Sequence, residues 1–165
     1  MLKKIISGGQ TGIDKMGLMA AAENGFETGG TAPSGFITEN GVDYTLRNYG
    51  LKEISQEDKA FYEKLTGKSD RYTPRTYVNT RDSDGTVYFS SDNNSPGSKT
   101  TKAGCVYHKK PFIMNPNIES LCKFIDDNNI ETLNVAGNRG SKLNQRDQRN
   151  FYTILSSVLK HYKTK

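Results

Sequence analysis

Among 165 residues the chain has no tryptophan, two cysteines, two histidines and five prolines. Cys105 and Cys122 form no C-x-x-C pair, and His108 and His161 stand apart, so no metal site is expected. Reduced, partly buried thiols are the default reading of the cysteines. So few histidines leave no Ser–His–Asp or Cys–His arrangement to argue for. No paired-carboxylate acid/base system is evident either, and no catalytic residue is assigned. No apolar run approaches the length of a membrane span. The N-terminal lysines are followed by Gly8-Gly9, which interrupts any signal-peptide core. A cytoplasmic protein with no membrane partner is expected. No basic stripe with interleaved aromatics is present, so no nucleic-acid partner is expected.

What remains is the composition of a soluble globular domain, 33% hydrophobic and 25% charged. The length fits one domain over residues 1–165, with enough chain for a core. The net charge of +5 leans toward acidic partners. Part of it sits in a basic tail, residues 160–165, read as a helix end.

The chain is organised around Ser7-Gly8-Gly9-Gln10-Thr11-Gly12-Ile13-Asp14. A β-branched run over residues 2–7 reads as a central parallel strand. It breaks into a glycine-rich turn, and a helix follows over 13–24. Such a turn offers backbone N–H groups at the positive end of a helix dipole, a setting that suits phosphate. Gly8, Gly9, Gln10, Thr11 and Gly12 are therefore candidate ligand residues, with Asp14 in the first helical turn. The loop is neither a Walker A motif nor a G-x-G-x-x-G fingerprint. Glu27 is considered as a ribose-binding acid.

Further strands are expected over 26–29, 86–90, 111–114 and 132–136. Further helices are expected over 56–65, 98–109, 118–128 and 144–161. Gly17 and Ala20-Ala21-Ala22 let the first helix approach the sheet, and Asn24-Gly25 ends it. Residues 31–51 have no period and read as a long functional loop covering the site. Residues 77–81 are read as a lead-in to the turn Asp82-Ser83-Asp84-Gly85. The alternation predicts an α/β fold: a Rossmann-like, doubly wound, mostly parallel five-stranded sheet with helices on both faces. Right-handed crossovers would then gather the loops 8–14, 29–35, 90–101 and 137–140 on one sheet edge.

That edge supplies the other candidates. Gly30 and Pro33 follow the second strand. Ser90, Gly97, Ser98, Thr100 and Thr101 follow the third, where small hydroxylated residues serve equally as helix caps or phosphate donors. Asn138 and Arg139 close the set, since arginine grips phosphate or carboxylate with two hydrogen bonds. Arg71, Arg75 and Arg81 add positive charge, and one of them is expected to face the ligand. Arg75 and Asn79 are placed against the ligand or a neighbouring subunit. Asp82 and Asp84 read as turn formers, with Asp84 retained as a ligand candidate.

These motifs resemble those of the molybdenum carrier (molybdenum cofactor carrier) family. The resemblance rests on residues 7–14, Gly29-Gly30 with Pro33 and Gly35, the stretch 44–53 with Leu51-Lys52-Glu53, Arg75, Asn79, residues 82–86, and Asn134-Val135-Ala136-Gly137-Asn138-Arg139. It covers most of the chain in order. The family is similar to a wider Rossmann-like superfamily, with lysine-decarboxylase-like phosphoribohydrolases and DprA-type proteins, whose members bind nucleotides or their derivatives. The resemblance implies a bound molybdenum cofactor, a pterin carrying a phosphate, and self-association as a dimer or tetramer. Two stretches depart from the family: 94–100, where Pro-Leu-Ser-Gly-Gly-Thr is usual, and Gly137-Asn138-Arg139, where Gly-Pro-Arg is usual. The hydrolases' Pro-Gly-Gly-x-Gly-Thr-x-x-Glu has no counterpart glutamate after Thr100-Thr101. The expected function is therefore to hold a small phosphorylated ligand. The alternatives are a nucleotide or N-glycosidic hydrolase, or a protein that sequesters a nucleotide signal.

Overall fold

A computed structural model describes residues 1–164; Lys165, the last residue of the basic tail, lies outside the described residues. The elements in chain order are β1 (Lys4–Ile6), α1 (Ile13–Glu23), β2 (Glu27–Ala32), β3 (Ile37–Thr38), β4 (Gly41–Val42), β5 (Leu51–Glu53), α2 (Gln56–Thr66), α3 (Thr73–Asp82), β6 (Gly85–Phe89), α4 (Pro96–Tyr107), β7 (Phe112–Met114), α5 (Ile118–Asp127), β8 (Thr132–Gly137) and α6 (Gln145–Lys163). Six strands form one sheet in the order β5-β2-β1-β8-β6-β7. Every pairing in it is parallel. The fold is α/β and Rossmann-like, as expected, with six strands instead of five.

The sixth strand is β5, at the sheet edge beside β2. Residues 31–51 are correspondingly not a bare loop. β2 runs on to Ala32, a 3₁₀ turn spans Ser34–Phe36, β3 and β4 form a small hairpin, and a second 3₁₀ helix spans Tyr44–Tyr49. Phe36, Leu46 and Leu51 are buried with Leu18 and Ala32, so apolar packing holds this cover down. Residues 77–81 belong to α3. Pro74 sits in its first turn, where the missing N–H costs nothing, and so sets the helix start. α4 likewise begins at Pro96, with the Ser95 side chain accepting from the Ser98 amide as N-cap.

The two sheet faces differ in chemistry. Ile5, Val87, Phe89, Leu133 and Val135 pack with Ile13 and Met16 of α1 and with Phe151, Leu155, Val158 and Leu159 of α6 into the main core. Phe89 stacks on Phe151 at 4.9 Å. Gly17 allows the close approach: a Cβ there would stand 2.8 Å from Val135 Cγ1. Toward α3 and α4 the interface is polar. Asn134 donates to Thr86 Oγ1 at 3.1 Å, and Thr80, Cys105 and Thr101 are buried there. Gly104 lets α4 close on Thr80.

Candidate functional site

Because the strands are parallel, the loops after β1, β2, β6 and β8 leave the same edge. They touch. Gly30 has φ +129°, and a side chain there would run into the Ser7 carbonyl. The Asn138 side chain accepts from the Ser91 amide at 2.6 Å, and its backbone amide donates to Phe89 O at 3.1 Å. Its carbonyl accepts from Ile13 N at 3.1 Å. Asn138 therefore fastens the β6 and β8 loops to the start of α1. Gly12, at φ +81°, leaves room for that carbonyl.

The first loop is a nest of amides, but the amides are not open. Asp14 turns its carboxylate back into it. Oδ2 accepts from Gln10 N at 3.2 Å, and Gly8 N also donates to this carboxylate. Gly9 N donates to Ser7 Oγ at 3.3 Å, and Thr11 N to Gln10 Oε1 at 3.0 Å. The expectation that Gly8, Gly9, Gln10 and Thr11 present free N–H groups to a phosphate is corrected accordingly. The carboxyl that occupies this nest is the chain's own. Gly9 has a further constraint, since its missing side chain would point at Leu46 and Leu51, not outward.

Above this nest lies Arg75 from the start of α3. Its side chain is only 12% exposed and Asp14's only 4%, with Nη1 3.9 Å from Asp14 Oδ2. Gly8 makes room for it: a Cβ there would stand 2.7–2.9 Å from three guanidinium atoms. The guanidinium lies 5.6 Å from the Tyr72 ring centroid, and Nη1 donates to Thr76 Oγ1 at 2.9 Å. Arg75 Nε has no hydrogen-bond partner and is, among the described residues, the one buried side-chain polar atom so placed. Burial pushes the Asp14 carboxyl above its ordinary value; Arg75 and the Gln10 and Gly8 amides offset this only in part. Tyr88 of β6 lies close enough to feel both charges of this pair. Burial raises its phenol, the Ser95 hydroxyl at 3.3 Å lowers it, and the Asp14 charge raises it further. Gly97 approaches this phenol, a Cβ there lying 2.7 Å from it.

The remaining candidates divide. Ser98 Oγ donates to Ser95 O at 2.8 Å and Thr100 Oγ1 to Pro96 O at 3.1 Å, so both hydroxyls serve the first turn of α4. Thr101 is buried beneath them. Ser90 is buried in its own turn, with its amide donating to Asn115 Oδ1 at 2.8 Å. Asn79 clamps the backbone of Thr31 through two 2.9 Å bonds, and Pro33 precedes the 3₁₀ turn after β2. Asp84 is not at this edge at all. It precedes β6, and its carboxylate accepts from Glu131 N at 3.0 Å and Thr132 N at 2.9 Å. Glu27, the candidate ribose acid, begins β2 at that same far edge and pairs with Lys4 at 3.2 Å. Of the arginines before β6, Arg81 is taken by Asp58 and Asp82, both at 2.8 Å.

Three residues of this edge were not singled out in the sequence: Tyr72, Tyr88 and Glu39. The Glu39 carboxylate reaches from the β3–β4 turn to the Thr11 hydroxyl and the Ser141 amide, with Arg139 Nε 3.9 Å away. Burial raises its pKa, but the Ser141 and Thr11 hydrogen bonds and the Arg139 charge prevail and hold it below the ordinary value.

The fold has known counterparts. The profile of the circularly permutated YpsA SLOG family matches residues 5–159. The crystal structure of a protein named "Putative molybdenum carrier protein", from Syntrophus aciditrophicus SB, superposes with a TM-score of 0.74. It is 32% identical, over 96% of this chain and 94% of that one. No curated protein matches. With nearly the whole length matched, the chain belongs to the circularly permutated YpsA SLOG family and shares the Rossmann-like fold of the Syntrophus protein.

Proposed function

We propose that this protein binds and carries a small phosphorylated ligand, a molybdenum cofactor or a nucleotide-derived molecule, in the crevice at the C-terminal edge of the sheet. The observation that carries this reading is Arg75 Nε, buried and without a partner. Buried polar groups are nearly always hydrogen-bonded, and an orphaned guanidinium donor calls for an oxyanion. The position agrees with the chemistry: strands on either side of β8 send their helices to opposite faces, which is where such sheets bind ligands. Gly8 carries no side chain to crowd the guanidinium. Among the described residues no three His, Cys, Asp or Glu side chains gather as a metal site. A molybdenum cofactor would accordingly be held through its phosphate and ring. Self-association as a dimer or tetramer and a cytoplasmic location belong to the same proposal.

The test is what co-purifies. Mass spectrometry of the denatured protein should release a phosphorylated small molecule, unaltered, and Arg75→Ala should come out folded with its ligand content at least ten-fold lower. A folded Arg75→Ala variant with full ligand content would refute the placement. A second reading draws on Asp14, a buried carboxyl with a raised pKa beside a cation, which is the setting of a general base. In that reading Asp14 hydrolyses a nucleotide or N-glycosidic bond, and product formation lost in Asp14→Asn would favour it over a carrier.

A further inference from the structure

The β3–β4 hairpin ends in a contact that resembles bound ligand more than a hairpin tip. Glu39 places one carboxylate oxygen, Oε2, between the Thr11 hydroxyl and the Ser141 amide at 3.1 Å. Gly140 N donates to the same Thr11 oxygen at 3.0 Å. Gln10 Oε1 braces the arrangement by accepting from Glu39 N at 2.9 Å and Thr11 N at 3.0 Å. Arg139 completes the ring of donors, but loosely: its Nε is 3.9 Å from the other carboxylate oxygen, and its side chain is 46% exposed. A hydroxyl, a loop amide and a guanidinium converging on one oxygen pair are the donors that recognise a phosphate group. The occupant sits in the turn between two strands of two residues each.

Thr11 has a second neighbour. With Gly12 it forms one end of a groove of about 810 Å³ between α1 and α6. Met16, Met19 and the Tyr152 ring give this groove soft and aromatic walls, and Gln145, Gln148 and Arg149 line it with polar groups. Its volume falls within the range of small-molecule sites, and its walls suit a flat ring. It lies on the α1–α6 side of the first loop, whereas Arg75 approaches from α3.

We propose that Thr11, Arg139 and Ser141 form a second oxyanion site, masked by the Glu39 carboxylate, that takes the phosphate of a phosphomonoester whose ring lies in the α1–α6 groove. Binding exchanges one anion for another: the hairpin tip lifts, the phosphate accepts the donors Glu39 held, and the ring settles on Met16, Met19 and Tyr152. Glu39 thereby sets the affinity threshold.

The test uses the full chain with inorganic phosphate and adenosine 5′-monophosphate as probes, followed by calorimetry and by the methionine methyl signals in NMR. Glu39→Gln and Glu39→Ala should each bind phosphate at least ten-fold tighter than the unmodified protein. The gain should vanish when Thr11→Val is added and persist when Arg75→Gln is added. The nucleotide, but not phosphate, should shift the Met16 and Met19 methyls. A folded Glu39→Gln protein with unchanged phosphate affinity would overturn the masking. A gain abolished by Arg75→Gln would assign the phosphate to the first crevice instead, overturning this site while leaving the carrier reading intact. Nucleotide binding that leaves both methyls unmoved would overturn the groove assignment. Thermal melts of each variant establish that it is folded, and Glu39→Gln, which keeps size and shape, carries the test if Glu39→Ala unfolds.

Discussion

Replacing Gly9 by alanine should unfold this protein more than it impairs any binding. The glycine sits at φ +78°, a conformation that costs an L-residue about 1–2 kcal/mol. Its added Cβ would stand 2.7 Å from Leu46 Cδ1 and 2.9 Å from Leu51 Cδ2, inside contact distance of two buried leucines. Overpacking of that kind costs about 1–3 kcal/mol, so the substitution should cost about 2–5 kcal/mol in all. Leu46→Ala alone should cost about 2–5 kcal/mol by opening a cavity. Combined, the two should cost less than their sum, because removing Leu46 relieves the clash while the backbone strain remains. A coupling of about 0.5–3 kcal/mol is expected for neighbours in contact. Urea unfolding of the four proteins, followed by circular dichroism because the chain has no tryptophan, measures all the terms. Two results would refute the reasoning: additive costs, or a Gly9→Ala protein as stable as its parent that has lost its ligand.

Asp14→Asn should gain stability relative to the parent as pH rises. Burial raises the Asp14 carboxyl above its ordinary value of 3.8, so its ionisation costs folding free energy that appears as pH climbs through the unfolded value and is complete above the folded one. Denaturation midpoints of both proteins between about pH 4 and pH 8, where buried carboxyls titrate, give the difference, which should grow with pH; a constant difference would contradict the assigned cause. Asp84→Ala should cost about 1–3 kcal/mol, since the Glu131 and Thr132 amides both lose their acceptor. It should leave ligand content unchanged, because the residue lies at the far edge of the sheet.

Much of the architecture is legible in the residues because the relevant forces are local. Gly17 and the alanines after it announce a helix laid close on a sheet, and Asn24-Gly25 announces its end; both are where they were expected. The stripe Phe151, Ile154, Leu155, Val158 and Tyr162 marks α6 by its period; Ile154 is partly buried and the other four are buried. β5 is a different case. Three edge residues with two exposed side chains carry no alternation to read, and the strand exists because β2 offers it a partner. α3 is obscured by β-favouring Tyr77 and Val78, and is helical because it packs on the polar sheet face. At the site, Arg75 is visible from charge alone. Tyr88 is not, since a tyrosine inside a strong strand reads as core. Glu39 is invisible, because its partners lie 28 and 102 positions away. Asp84 is placed by topology: in a parallel sheet the residues before a strand cannot share an edge with those after it.

The two acidic side chains change what the glycine loop means. An amide nest beside a helix N-terminus favours negative charge wherever that charge comes from. Asp14 fills the inner nest and Glu39 the outer one, so both are satisfied from within the chain. The two fillings differ in how firmly they are held. Asp14 is fixed in the first turn of α1, is almost wholly buried, and is held at an electrostatic cost, since burial raises its pKa despite Arg75. Glu39 sits in the turn after a two-residue strand, and its hydrogen bonds and the Arg139 charge outweigh its desolvation, so its pKa lies below the ordinary value. An incoming phosphate therefore cannot displace Asp14 without breaking the start of the helix, but it displaces Glu39 by moving a turn. The inner carboxylate instead anchors Arg75, which leaves one guanidinium nitrogen buried and unpaired beside Gly8. The glycines are needed less to touch a ligand than to let Arg75, Leu46 and the Asn138 carbonyl stand where side chains would exclude them.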